Sequence, residues 1–334
     1  MVIYFQELRK EFFKSIPEEM AIMLAALIDS DKSSDRRSQM DPTGEVCLAD
    51  PAMVETAIKA ILDTCYGKNY DSELLSTAIK DLVRAYRGNY PGLLRCDTLY
   101  HDLRHALETG LTTARLIDGH AKSLASGYNG EYVDGEHALL AILLALFHDI
   151  GLQRRESEAH LRGAVLIPVH EERGVEFMLR YLSHTTLAPF TDKSILIMPT
   201  KLTFKMPGTW SAFDRRLAGI VASADLLSQM ADRCYLEKCR DFLFVEFCAF
   251  GLAGRIDSPY PDRETLLTKT PDFFTGIIQQ RLEGEFQGVH RLIEVHTGGK
   301  NPWAESINRN MAFLDDILSA KDFSRLHRHP KTVI

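Results

Sequence analysis

The stretch "HALLAILLALFHDIGLQ", residues 137–153, decides how this chain is read. Every residue from Ala138 to Phe147 is apolar. A helix that is apolar all round belongs in a protein interior, and the run is about half the length that crosses a bilayer. It reads as a core helix that carries His148 and Asp149 inward at its end. An ionised carboxylate there is costly unless it is paired or bound to a cation, so Asp149 requires a partner. The dipeptide alone says little. With twelve histidines in an acid-rich chain, about one His-Asp pair arises by chance. A second, His101-Asp102, is indeed present, but it starts a polar, charged helix with no comparable argument for burial.

Around this core helix, helical periodicity dominates and no convincing alternating strand appears, which predicts an all-α, multi-helix bundle with an N-terminal helical extension packed on it. Residues 1–28 read as a first helix. Asp29 to Glu45 are polar and small, a flexible loop or exposed linker. The segment "ADPAMVETAIKAILDTC" opens on Asp-Pro and keeps Met53, Ala57, Ile58, Ile61 and Leu62 on one face, as a packed helix does. Another helix follows from Asp71 to Arg87. Further helices are predicted over roughly 101–124, 136–152, 170–182, 192–199, 213–233, 237–251, 271–284 and 302–319. We divide the chain into an extension (1–90), a main domain (91–320) and a basic, frayed tail (321–334).

With 334 residues, 45% of them apolar, the chain can bury a large core, and its net charge of -7 disfavours nucleic acid and anionic membranes as partners. Its six cysteines, Cys47, Cys65, Cys96, Cys234, Cys239 and Cys248, form no CxxC pair. That usage, with an N-terminus lacking the apolar core of a signal peptide, suits a soluble protein of the reducing cytoplasm.

Eight histidines lie between residues 101 and 184. In "YHDLRHALETGLTTARLI", His101 and His105 are four apart and share a helix face. They can bind one metal together, divide into one ligand and one acid-base group, or be two surface histidines near a helix start. In "RLAGIVASADLLSQMADR", Asp225 is surrounded by Ile220, Val221, Ala222, Ala224, Leu226 and Leu227. A carboxylate in such a helix needs a metal or an arginine beside it. Together His105, His148, Asp149 and Asp225 make a two-nitrogen, two-oxygen set suited to Fe, Mn, Zn or Co. Asp149 keeps a spare oxygen for a harder ion such as Mg or Mn.

This pattern resembles the HD superfamily of metal-dependent phosphohydrolases. More narrowly, "YHDLRHALE" is similar to the YHNxxHA motif of the cyclic-nucleotide phosphodiesterase catalytic domain, and "ALFHDIG" to its metal-binding His-Asp segment. "VHEERGVEFMLRYL", "SILIMPTKLT" and "IVASADLLS" follow in the family's order, so the resemblance covers about residues 90–285. It implies two divalent ions (Fe, Mn, Zn, Co or Mg), with His105, His148, Asp149 and Asp225 binding the first and Asp149 bridging to the second. It further implies hydrolysis of a cyclic nucleotide or related phosphoester by a metal-bridged hydroxide, with His101 as the general acid. Asp102 replaces the family's usual Asn and would pair with His101.

The chain also departs from that pattern. "HDIGLQ" replaces HDxxHPG and matches the HDIG variant of bacterial HD proteins, yet no GYP follows. His170 is similar to a metal-binding histidine of those proteins, and reads as a ligand of a second metal, as a group bonded to a ligand, or as an inert histidine at a helix start. Phe273 or Phe274 can stack on a base, but the family's purine-reading Gln has no counterpart. Arg154, Arg155, Lys201 and Lys205 can hold extra phosphates or be solvated surface charge. An HD-type nucleotidase or deoxynucleoside-triphosphate hydrolase is the alternative activity. An HD-type diiron oxygenase would need further histidines such as His170 and His184. His137, His160 and His184 otherwise read as structural or surface residues. The substrate expected is a small molecule, with no membrane or nucleic-acid partner. Residues 1–90 can pack on the catalytic helices, cover the pocket or form a homodimer contact.

Overall fold

A computed structural model of the chain describes residues 37–127, 130–330 and 332–333. The helix expected over 1–28 and the first part of the linker lie outside the described residues. Among the described residues there are eleven α-helices, with 3-10 and π turns between them and isolated bridges but no strand. The all-α expectation therefore holds. The helices are α1 (Pro51–Tyr66), α2 (Ser72–Tyr86), α3 (Leu103–Ala125), α4 (Gly135–Leu146), α5 (His170–Leu182) and α6 (Ala212–Ala231). They continue with α7 (Tyr235–Lys238), α8 (Phe244–Ala249), α9 (Arg263–Phe273), α10 (Leu292–His296) and α11 (Pro302–Ala320). Aspartates 50, 71, 102 and 134 cap the first four helices, their carboxylates accepting the amide hydrogens that a first turn leaves unpaired.

Three helices form the centre. Every residue of α3 from Leu103 to His120 is buried, as are Ala138 to Leu146 of α4 and Leu217 to Ser228 of α6. The apolar segment Gly135–Leu152 is long enough to span a membrane by composition, but 89% of it is buried inside the molecule. Its neighbours are protein side chains. Helix α10 crosses α3 in backbone contact at Gly119, where any Cβ would lie 1.9 Å from the Leu292 carbonyl oxygen. Only glycine permits that approach. Val54, Ile58 and Leu62 of α1 and Leu75, Ile79 and Leu82 of α2 join the same hydrophobic core as α3, α4 and α6.

Two peripheral segments differ from their sequence reading. Asp41 lies within the expected linker, yet it is 4% exposed and ion-paired with Arg115 of α3, itself buried. Its other oxygen accepts from the Glu45 and Val46 amides, both at 3.0 Å. A buried guanidinium needs a carboxylate, and that need folds residues 37–46 onto α3. The tail expected to fray is docked instead. Leu326 is buried and its carbonyl accepts from Arg240 at 2.6 Å. The Val333 carbonyl accepts from the Leu103 amide at 3.0 Å, and the Val333 amide donates to Asp102 Oδ2 at 2.9 Å. The tail thus satisfies an orphan donor at the start of α3.

Candidate metal centre

His105, His148, Asp149 and Asp225 come from three different segments and meet at one point. His105 is on the first turn of α3, His148 and Asp149 follow the C-terminus of α4, and Asp225 is inside α6. His105 Nε2 stands 3.2 Å from His148 Nε2, 3.1 Å from Asp225 Oδ1 and 3.5 Å from Asp149 Oδ2. His148 Nε2 stands 3.2 Å from Asp149 Oδ2 and 3.4 Å from Asp225 Oδ1. All four residues are buried. Asp225 faces the two imidazoles and accepts from the Gln229 amide, so its partner is not the arginine considered above. His105 is likewise not a surface residue.

Local structure orients the donors. Phe147 ends α4 and leaves late carbonyls unpaired. One of them, Ala145, accepts from His148 Nδ1 at 2.7 Å. That bond puts the Nδ1 proton outward and turns the Nε2 lone pair toward Asp149. Asp149 Oδ2 is buried without a hydrogen-bond partner. A carboxylate oxygen facing an imidazole lone pair is repulsive unless a proton or a cation lies between them. Burial works against a charged His148, yet the Asp149 and Asp225 carboxylates hold its pKa well above the ordinary value. The field that attracts a proton there attracts a metal ion equally. By these criteria the buried His105, His148 and Asp149 group, whose ligand atoms lie within 4.8 Å of one another, can hold a metal ion.

His170, the first residue of α5, extends the cluster. Its Nδ1 donates to the Ile167 carbonyl at 2.7 Å, and its Nε2 lies 3.3 Å from Asp149 Oδ1. The two oxygens of Asp149 therefore face different histidines. Gly151 makes this possible: a Cβ at that position would lie 1.9 Å from the His170 carbonyl oxygen. The glycine of "HDIG" is what lets α5 approach this closely.

His101 lies at the rim, its ring 6.3 Å from that of His105 and 6.2 Å from that of His170. Its Nδ1 donates to Glu246 Oε2 at 2.6 Å, while Glu246 Oε1 accepts from the Tyr100 amide at 2.7 Å. This corrects the expected partner. Asp102 is fully buried as the cap of α3, its oxygens occupied by the His105 and Val333 amides. Burial works against a charged His101, but Glu246 and then Asp149 outweigh it and carry its pKa to about 9. Glu246 had a readable signal, being an acid in the apolar run "FLFVEFCAF", the same oddity that marked Asp225. A π turn at Cys239–Leu243 precedes α8 and sets the phase in which Glu246 is presented. Gln229, one turn after Asp225, was also missed. It bridges Asp225 to the Tyr100 hydroxyl, which lies 3.2 Å from Gln229 Oε1.

Other residues considered from sequence have different surroundings. Phe273 and Phe274 are half-buried and pack against the hydrophobic core. Arg154 pairs with Asp97, Arg155 with Glu176, Lys201 with Glu172 and Lys205 with Glu285. His160 is exposed. His137 hydrogen-bonds Asp134 and packs on Phe190 and Phe213. His184 follows the far end of α5, about 20 Å along the helix from His170, and lines a separate groove of about 990 Å³ with Tyr90, Phe177 and Tyr181. Compared with protein families, curated proteins and solved structures, the chain matches none.

Proposed function

We propose that this protein is a metal-dependent phosphodiester hydrolase of the HD type. The observation that carries the reading is the buried convergence of His105, His148, Asp149 and Asp225 beside a histidine, His101, charged by its own carboxylate. Divalent cations supply Lewis-acid charge for phosphoryl oxygens and lower the pKa of bound water. Asp149, with Oδ2 toward His105 and His148 and Oδ1 toward His170, has the donor arrangement to serve two such ions. His101 holds its Nδ1 proton on Glu246, so Nε2 of the imidazolium is free to deliver a proton to the departing ester oxygen. The three central helices keep the four ligand candidates buried. The substrate class proposed is a cyclic nucleotide or similar phosphoester, with an HD-type nucleotidase or deoxynucleoside-triphosphate hydrolase as the alternative. The diiron oxygenase reading is weaker, because His184 is remote from the cluster.

Protein purified without chelator and supplied with Mn or Mg is expected to hydrolyse bis(p-nitrophenyl) phosphate, and a panel of cyclic mono- and dinucleotides then identifies the preferred ester. Oxygen consumption without release of p-nitrophenolate, or without opening of any cyclic nucleotide, would overturn the proposal.

The pH dependence follows from the sign of the His101 shift. A proton donor is active while protonated, so a pKa of about 9 keeps activity up to that pH and loses it above. Glu246→Gln removes the main attraction for the proton, and the basic limb of kcat/KM is expected to move down toward the ordinary histidine value of 6.5. His101→Ala is expected to cost about 10²–10⁴-fold in kcat. A Glu246→Gln profile lowered in height but unmoved along pH would mean that Glu246 acts only structurally.

A further inference from the structure

Asp225 needs more than burial to serve as a metal ligand, because the last torsion of an aspartate is broad and its carboxylate turns unless something holds it. Gln229 stands one turn further along α6, and its side-chain amide donates to Asp225 Oδ1 at 2.5 Å. That oxygen is the one that faces both imidazoles, 3.1 Å from His105 Nε2 and 3.4 Å from His148 Nε2. A carboxylate oxygen has two lone-pair sites, so one accepts the amide hydrogen while the other is left for an ion beside the histidines. Asp and Gln four apart on a helix form such pairs on ordinary surfaces too, and this contact alone says nothing about function.

A third group, from elsewhere in the chain, sets this pair apart. Tyr100 lies before α3, is 5% exposed and donates its hydroxyl hydrogen to Gln229 Oε1 at 3.2 Å. With the amide oxygen taken by the phenol, the amide nitrogen is left to face Asp225. The reversed amide would set its oxygen against a carboxylate oxygen, two acceptors with no hydrogen between them. Tyr100 is itself fixed at two further points. Its backbone amide donates to Glu246 Oε1 at 2.7 Å, and its ring meets the His101 ring edge-on, with centroids 5.1 Å apart. One tyrosine thus joins the carboxylate that holds His101 to the amide that holds Asp225.

We propose that Gln229 is a positioning residue for the metal centre, that Tyr100 fixes which end of its amide faces the ligand, and that the two together set how Asp225 presents its carboxylate to an ion. The proposal rests on the reading of His105, His148, Asp149 and Asp225 as metal ligands. Groups hydrogen-bonded to a ligand orient it, and their loss typically weakens metal binding by about 10–100-fold. Gln229 acts through Asp225, and Tyr100 acts on Asp225 through Gln229. The contribution of the tyrosine hydroxyl to metal binding therefore disappears once the amide is gone.

The test titrates metal-stripped protein with Co(II) and follows its visible absorption, which reports both occupancy and ligand geometry. Wild type is expected to bind saturably. Gln229→Met keeps the length of the side chain and removes the amide. It is expected to bind about 10–100-fold more weakly, with a shifted cobalt band at saturation and an unchanged melting temperature of the metal-free protein. Tyr100→Phe is expected to weaken binding by about three- to tenfold in the wild-type background and to add nothing in Gln229→Met. A folded Gln229→Met that keeps the wild-type affinity, or the wild-type cobalt band, overturns the proposal. So does a Tyr100→Phe effect of equal size in both backgrounds. In each of these cases cobalt binding by wild type leaves the metal-centre reading standing, whereas a wild type that binds no cobalt overturns that reading as well.

Discussion

Replacing His148 with alanine is expected to leave the protein without bound transition metal and to bring hydrolysis of a bis-aryl phosphate to background. The imidazole is one of two whose Nε2 atoms stand 3.2 Å apart, and it also faces both carboxylates of the cluster. Its loss leaves Asp149 and Asp225 with a single imidazole between them. Elemental analysis of the purified variant measures the metal directly. Stability provides a second reading, because a ligand that binds only the folded state stabilises it by about 2.7 kcal/mol at a hundredfold excess over its Kd. Adding Mn should therefore raise the melting temperature of wild type and not that of His148→Ala or Asp225→Ala. Full metal content and full turnover in either variant would sink the assignment.

Asp232→Ala is expected to produce the largest loss of stability. Asp232 Oδ2 holds Arg104 and, at 2.7 Å, Lys238, and its Oδ1 accepts from the Cys234 amide at 2.7 Å. All three charged side chains are buried, with exposures of 3% for Arg104, 7% for Lys238 and 4% for Asp232. Burial alone would raise the Asp232 carboxyl, but Arg104 and Lys238 hold it well below the ordinary range. The charged pair therefore contributes stability above the unfolded pKa of an aspartate, and that contribution fades as pH falls through the depressed folded value. Removing the carboxylate strands two buried cations, for which Glu108, 3.7 Å from Arg104, is a poor substitute. The expected cost is about 3–5 kcal/mol, read from urea unfolding at neutral pH. A cost under about 1 kcal/mol would mean that water reaches both cations.

The two carboxylates show how sequence legibility depends on environment. Asp225 was legible because its own helix is apolar on nearly every side, so its burial and need for a partner follow from the neighbours alone. Asp102 misled for the opposite reason. It stands among polar residues at a helix start, yet it is 0% exposed because the chain's tail returns from 231 residues away to cover it. Glu246 carried the signal of Asp225 in "FLFVEFCAF", but its bond to His101 spans 145 residues and no local pattern encodes that pairing. Arg115 and Asp41, 74 residues apart, turned an apparent linker into part of the core by the same long-range need for charge compensation.

The sequence by itself determined the helical class, the burial of the run from Ala138 to Phe147 and the identity of four converging ligand candidates. Each rests on periodicity or on the cost of placing charge among apolar neighbours, and both are local properties. Tertiary structure alone decided which donor faces which. The partner of His101, the second histidine beside Asp149 and the docking of the tail all join residues far apart in the chain. Such contacts depend on how helices cross, and at Gly119 and Gly151 that crossing is set by a backbone approach too close for any side chain.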